Sequence, residues 1–331
     1  MKSVRRTLPA LAGSVLLAGS MLAAPASALA DDNWPQRPIS YVVPFSPGGA
    51  TDMIGRIYSQ GIGNALGHPI VVENRPGTGG SLGSATVARA KPDGYTLVGG
   101  TISSHSINVS IYPDIGYDPI ESFSPIILTG TLPNVLVVRA DSPFNSVEDL
   151  IAAARKKEES LSVGSSGVGS SQHLAAELFG SMVKAKLLHV PYNGSAPSLQ
   201  AVVSGEIDLL FDNLTSAMPL IQAGRLKPLA VTSLQADPAL PDVKPLDQLG
   251  LPGYEVVSWQ ATFAPAGTPK PIIDKLYEAM YDTLQKPDVQ ERLKGVGLTV
   301  SGAGPDELLA FQKAEVAKWA KVAREANVKA R

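Results

Sequence analysis

The chain has 331 residues, no cysteine and a formal net charge of −2, with 44% hydrophobic and 18% charged residues. That length points to about two domains with ample core, and the mildly acidic balance excludes the basic stripe that a nucleic-acid partner needs. The lack of cysteine excludes a disulfide framework and the thiol through which a lipoprotein carries its acyl anchor.

In chain order, Met1-Lys-Ser-Val-Arg-Arg is basic, Leu8 to Ala24 is small and apolar, and two A-x-A triplets follow at Ala26–Ala28 and Ala28–Ala30. This is the layout of a secretory signal peptide over residues 1–30, with cleavage expected after Ala30. Removing residues 1–30 also removes Lys2, Arg5 and Arg6, which leaves 301 residues and moves the net charge from −2 to −5. No later stretch approaches the ~20 continuous apolar residues of a membrane span, so the mature protein is expected to be free in the periplasm.

The mature chain alternates β-rich runs with helical patterns, which predicts an α/β fold. Strands are expected at 39–43, 70–72, 95–98 and 126–128. A helix is expected over 51–66, with Met53, Ile54, Ile57, Tyr58 and Ile62 on one face. A second unit begins near Leu136, and Ser146 with Asp149 forms a capping box for the helix that follows. Strands at 161–164, 188–190, 207–211 and 229–232 then alternate with helices at 173–182 and 197–204, and with a short helix before the last strand. The Pro-rich stretch 237–252 is expected to be a surface connection. After the strand in "VVSWQATFAPAG", two helices are expected to close the chain. The first, 270–285, carries Ile272, Ile273, Leu276, Tyr277, Met280, Tyr281 and Leu284 as core residues.

Ligands of open α/β sheets lie beyond the carboxyl ends of the strands, where loops enter helices. Four such loops are rich in glycine and hydroxyl residues. They are 44–52, with Phe45, Ser46, Gly48, Gly49 and Asp52; 74–81, with Gly79; 164–173, with Ser165, Ser166, Gly169 and Ser170; and 190–198, with Tyr192 and Asn193. Glycine lets backbone N–H groups approach a ligand, and a helix start adds unpaired donors at the positive end of its dipole. Such loops can hold an anion without a lysine. Asp52 reads either as a cap of the first helix or as a ligand contact. Asp212 reads either as a cap or as an acceptor for a ligand amine or hydroxyl.

Other chemistries lack their residues. No Gly-Lys-Ser/Thr occurs, neither glycine cluster completes a dinucleotide fingerprint, and Gly164-Ser-Ser-Gly-Val misses the nucleophile elbow by one position. His68, His105, His173 and His189 sit in no metal-ligand spacing. Neither a metal, a cofactor nor an enzyme activity is expected. His173 is expected to line or flank the cleft from the first turn of a helix.

The strings "PFSPGGATDMIGR", "VVENRPGTGGSLG", "KPDGYTL", "VGSSGVGSSQHLAAELF", "HVPYNGSAPSL", "GEIDLLFDN", "GRLKPLAVTS", "LPGYEVVSW" and "APAGTPKPIIDKL", in that order, resemble the extracytoplasmic receptors of tripartite tricarboxylate transporters, often called Bug receptors. The resemblance implies a type II periplasmic-binding fold, two lobes joined by crossing strands around a central cleft. The lobes are expected at 31–128 with 258–331, and at 129–257. It further implies a monomeric receptor that captures a small organic carboxylate by closure and delivers it to a membrane permease. In the family, the loops matching Phe45 to Asp52 and Gly164 to Ser171 give backbone and hydroxyl donors to the carboxylate, with ordered waters. A sensor feeding a membrane signalling partner would use the same closure.

Overall fold

The computed structural model describes residues 33–325. The expected signal peptide and its cleavage after Ala30 lie outside the described residues. Lobe I opens with β1 (Ile39–Val43), α1 (Ala50–Leu66), β2 (Ile70–Asn74), α2 (Ser81–Ala88) and β3 (Thr96–Thr101). A π-helical segment at Ser103–Ile107 leads into the short α3 (Asn108–Ile111) and then the 17-residue β4 (Phe123–Arg139). Lobe II contains α4 (Val147–Lys156), β5 (Ser162–Ser165), α5 (Ser171–Val183), β6 (Leu188–Pro191), α6 (Ser195–Ser204), β7 (Leu209–Asn213), α7 (Leu214–Gln222) and β8 (Leu226–Val231). The chain then returns through β9 (Val257–Pro265), α8 (Lys270–Leu284), α9 (Pro287–Gly295), β10 (Thr299–Ala303) and α10 (Pro305–Glu325).

Local chemistry explains several boundaries. In α1, Ile54, Tyr58, Ile62 and Leu66 recur at helical spacing and are buried, and Gly67 ends the helix in the left-handed region at φ 71°. Ser146 accepts from the Asp149 N–H while Asp149 accepts from the Ser146 N–H, so the capping box forms as the sequence predicts.

β1 pairs in parallel with β2 and β3, and β5 pairs in parallel with β6 and β7. The loops after these strands therefore gather at one edge of each lobe. β4 is shared: it pairs with β9 from Phe123 to Pro133, and with β7 and β8 from Asn134 to Arg139. The lobe boundary expected at 128–129 thus falls inside this strand, and its partners change between Pro133 and Asn134. The return crossing lies beside it. The Thr232 hydroxyl accepts from the Asn134 N–H at 2.8 Å and donates to the Val256 carbonyl at 2.6 Å, stapling the two crossings together.

Three readings need correction. Two helices were expected to close the chain, but α9 and β10 intervene between α8 and α10. Pro287 interrupts the helical pattern and starts α9, and β10 is a five-residue strand that pairs with β4 through an irregular register. Tyr281, expected in the core, is 39% exposed, and Tyr277 is half-buried. The stretch 237–252 is not purely a surface connection, because Leu246 and Leu251 reach the core. Among the described residues, no helix is long and apolar enough to cross a membrane.

One buried carboxylate anchors α10 to the sheet. Glu315 Oε2 accepts from the indole N–H of Trp259 on β9 at 3.2 Å and of Trp319 at 2.9 Å, and both indoles are buried. Glu315→Leu leaves two buried donors unpaired, at about 1–3 kcal/mol each. Urea unfolding is expected to show a loss of about 2–5 kcal/mol. A change below about 0.5 kcal/mol, the range of ordinary surface substitutions, would mean that the two indoles find other acceptors.

Candidate functional site

The loop after β1 is built around a tight turn. Gly48 has φ +81°, which glycine adopts without strain, and its N–H donates to Asp52 Oδ2 at 3.0 Å. Asp52 Oδ1 accepts from Arg56 Nε at 2.9 Å and Asn74 Nδ2 at 2.9 Å. Burial pushes the Asp52 carboxyl upward, but the hydrogen bonds from Arg56, Gly48 and Asn74 together hold it below the usual carboxylate range. Asp52 is thus the brace of the loop, and the Arg56 cation is held by it. Gly49 follows as the N-cap of α1 in extended backbone, and no side chain caps that helix.

The loop after β5 is supported from beneath by two histidines. His173 and His189 stack with ring centroids 4.0 Å apart. His189 Nε2 lies 2.7 Å from Ser165 Oγ, and His173 Nδ1 accepts from the Gly169 N–H at 3.3 Å. Burial, and then the neighbouring His173, lower the His189 pKa to about 4, with Glu177 pulling the other way. Ser165 and Ser170 are fully buried, and Ser170 caps α5 through the His173 N–H. These residues shape the loop from behind; Ser166 reaches its front.

The lobes are closed on each other across these loops. Ser46 Oγ donates to the Asn193 carbonyl, and Tyr112 OH donates to the Val168 carbonyl at 2.8 Å. Gly79, at φ +58°, packs so closely on lobe II that a Cβ there would stand 2.7 Å from the Val168 oxygen. Tyr192 turns its hydroxyl away to Glu206 at 3.0 Å.

A cavity lies between the lobes. Lobe I gives it Gly49, Ala50 and Thr51 at the start of α1, Thr101 at the end of β3, Ser103 after it, and Ser258 and Gln260 on β9. Lobe II gives it Ser166 just after β5, Ser171 and Gln172 at the start of α5, Ser195 at the start of α6 and Asn213 before α7. A second cavity adjoins it, sharing Phe45 and Ser166 and including Gly79, Tyr192 and Asn193. Of the residues singled out from sequence, Phe45, Gly49 and Ser166 line the inner cavity, and Phe45, Gly79, Ser166, Tyr192 and Asn193 the outer one. Ser46, Gly48, Asp52, Ser165, Gly169, Ser170 and Asp212 line neither.

Four helix starts therefore converge on one cavity, from α1 in lobe I and from α5, α6 and α7 in lobe II. Three of them, α1, α6 and α7, carry no capping side chain, so their first N–H groups are left for a ligand or water. No side chain that lines either cavity is charged at neutral pH. Among the described residues there is also no group of three or more His, Cys, Asp or Glu that could hold a metal ion. The chemistry is that of a neutral cradle for an anion.

Sequence reasoning missed Thr101, Ser103, Ser258 and Gln260, which carry no glycine-rich signature: Thr101, Ser258 and Gln260 lie on paired strands, and Ser103 opens the π-helical segment after β3. It also missed Gln172 and Ser195, which stand next to residues it named. Asp212 lies behind them, fully buried. Its Oδ1 accepts from Ser195 Oγ at 2.7 Å, from Gln172 Nε2 at 3.1 Å and from the Asn213 N–H at 2.7 Å, while its Oδ2 has no partner. Burial pushes the Asp212 carboxyl up to about 6, against those three hydrogen bonds.

Residues 54–328 match the family model described as the tripartite tricarboxylate transporter family receptor. Among solved structures, the chain is similar to the periplasmic binding protein BugD, at 37% identity and a TM-score of 0.87, covering 90% of this chain and 100% of that one. It is similar to Rpa4515 of R. palustris, solved with adipate, at 38% identity and a TM-score of 0.87, covering 89% and 99%. It is also similar to MatC of Rhodopseudomonas palustris, solved with bound malate, at 34% identity and a TM-score of 0.84, covering 87% and 99%.

Proposed function

The chain belongs to the receptor family of the tripartite tricarboxylate transporters, and from that premise we propose that it captures a small organic carboxylate between its lobes in the periplasm and hands it to the membrane permease of such a transporter. The observation that carries this reading is the convergence of four helix starts, from both lobes, on one cavity without a cationic side chain. The adipate and malate of two similar receptors support the same ligand class.

The energetics suffice. A micromolar receptor needs about −8 kcal/mol. Several charge-assisted hydrogen bonds, at roughly 1.5–3 kcal/mol each, supply this before the costs of ordering and closure. The hinge of the motion is the pair of crossings at 133–134 and 256–257, where few peptide units must rotate. Bound ligand holds the closed form because only that form presents donors from both lobes.

A thermal-shift screen of mono-, di- and tricarboxylates tests the reading. One or more acids are expected to raise the melting temperature, with about 2.7 kcal/mol of stabilisation at a ligand concentration 100 times Kd. The shift is expected to persist in excess chelator. A panel in which no acid shifts the transition, or a shift that needs a divalent ion, overturns the proposal.

A further inference from the structure

The hydroxyl groups on the lobe II side of the inner cavity are not free rotors. Ser195 Oγ donates its proton to Asp212 Oδ1 at 2.7 Å. The carboxamide of Gln172 is oriented by the same carboxylate: its Nε2 donates to Asp212 Oδ1 at 3.1 Å and reaches Ser195 Oγ at 3.4 Å. Gln172 Oε1 must then face the other way, where it accepts the proton of Ser166 at 2.9 Å and lies 3.3 Å from Ser171 Oγ. A serine hydroxyl has one proton and two lone pairs. With those protons committed, Ser166 and Ser195 have only lone pairs left for the cavity that both line.

We infer that Asp212, acting through Gln172 and Ser195, sets this wall as a hydrogen-bond acceptor, so that the ligand is a carboxylate with a donor beside it: a 2-hydroxy or 2-amino acid. The inference rests on the carboxylate reading above and narrows it. The carboxylate lies on the backbone N–H groups at the helix starts, and its 2-substituent donates to Ser166 or Ser195. An acceptor at that position, such as a 2-oxo group, meets lone pair against lone pair. A site built to pair with a donor rejects an analogue lacking it, because its own polar atoms are left unpaired. Asp212 is a positioning residue in this scheme, since it lines neither cavity. The sequence offered Asp212 itself as the acceptor for a ligand amine or hydroxyl; the geometry passes that role outward to two serines.

The test uses matched acids of three lengths: lactate, pyruvate and propionate; malate, oxaloacetate and succinate; 2-hydroxyglutarate, 2-oxoglutarate and glutarate. Calorimetry on the mature protein is expected to show the hydroxy acid binding at least tenfold tighter than its 2-oxo and unsubstituted counterparts, in whichever length fits. Gln172→Met releases the Ser166 proton and is expected to cut the hydroxy-to-oxo ratio to below threefold. A purely structural role for Gln172 would weaken all three acids alike and leave the ratio unchanged, which overturns the assignment. Parent protein that binds the 2-oxo or unsubstituted acid within threefold of the hydroxy acid also overturns it, because water then satisfies the serine lone pairs. If no acid of any length binds, the carboxylate reading itself falls; if acids bind without the preference, only this inference does.

Discussion

Replacing Gly79 with alanine is expected to leave both lobes folded, prevent their closure and lower ligand affinity by roughly 10²- to 10⁴-fold. A Cβ at this position would meet the Val168 carbonyl oxygen of lobe II at 2.7 Å, well inside van der Waals contact, and the Asn108 amide at 3.2 Å. The oxygen belongs to backbone and cannot rotate away, so the lobes must stay apart. Binding then keeps the donors of one lobe and loses those of the other. Loss of two charge-assisted hydrogen bonds, at roughly 1.5–3 kcal/mol each, gives the stated range. The left-handed φ of +58° adds a strain of about 1 kcal/mol in open and closed forms alike. Gly224→Ala isolates that term, since Gly224 has φ +64° and nothing within 4 Å of an added Cβ. It should lose similar stability and no affinity. Small-angle scattering on Gly79→Ala should show no contraction at saturating ligand; a normal contraction, with affinity within threefold of the parent, would refute the steric account.

What the sequence made legible follows the range of the interactions involved. Helix α1, its glycine turn and the capping box at Ser146 are set by residues within a few positions of one another, and their patterns survive in a linear reading. Of the single strand β4 the sequence shows only 126–128, with a new unit beginning near Leu136, because its middle, Leu128 to Asn134, contains Gly130 and Pro133 and lacks the alternation of a half-buried strand. Only the partners on either side show that it is continuous. The site divides in the same way. Gly49, Gly79 and Ser166 could be named from loops that enter helices. Ser258 and Gln260 come from the first half of a strand and reach the cavity because β9 lies between β3 and β4. The His173–His189 stack arises because their elements flank β5, a fact invisible in a spacing of sixteen residues. Asp212 shows the limit most clearly. Its residue type and position left a helix cap and direct ligand contact both open, but Ser195 and Gln172 occupy its one engaged oxygen and turn its charge into an orientation of their protons.

Gly49→Ala is expected to leave stability within about 0.5 kcal/mol of the parent and to weaken carboxylate binding by roughly 2–4 kcal/mol, or about 30- to 1000-fold. The neighbouring glycines play different parts. Gly48 is held at φ +81° and its N–H is spent on Asp52, so an alanine there strains the turn whatever the ligand does. Gly49 has φ −82° and ψ 168°, an extended conformation that alanine adopts freely. An added Cβ would find the Ser46 carbonyl at 3.7 Å and Ser195 Cβ and Oγ at 3.9 and 4.0 Å, all ordinary contacts. The fold and the closure therefore tolerate the methyl group, but it stands on the cavity wall between the start of α1 and Ser195. An anion must then back away from the N–H groups that open α1, and one or two charge-assisted bonds are lost. Lysine is absent from this loop for the same reason that the methyl group is harmful. The amides and the helix dipole already favour the anion at close range, whereas a fixed cation would select more narrowly for ligand charge and length. Calorimetry on the folded variant, beside its urea midpoint, decides the matter. Unchanged stability with collapsed affinity marks Gly49 as a contact surface for the ligand, and affinity within about threefold, roughly 0.65 kcal/mol, would return the stretch to the status of a plain turn.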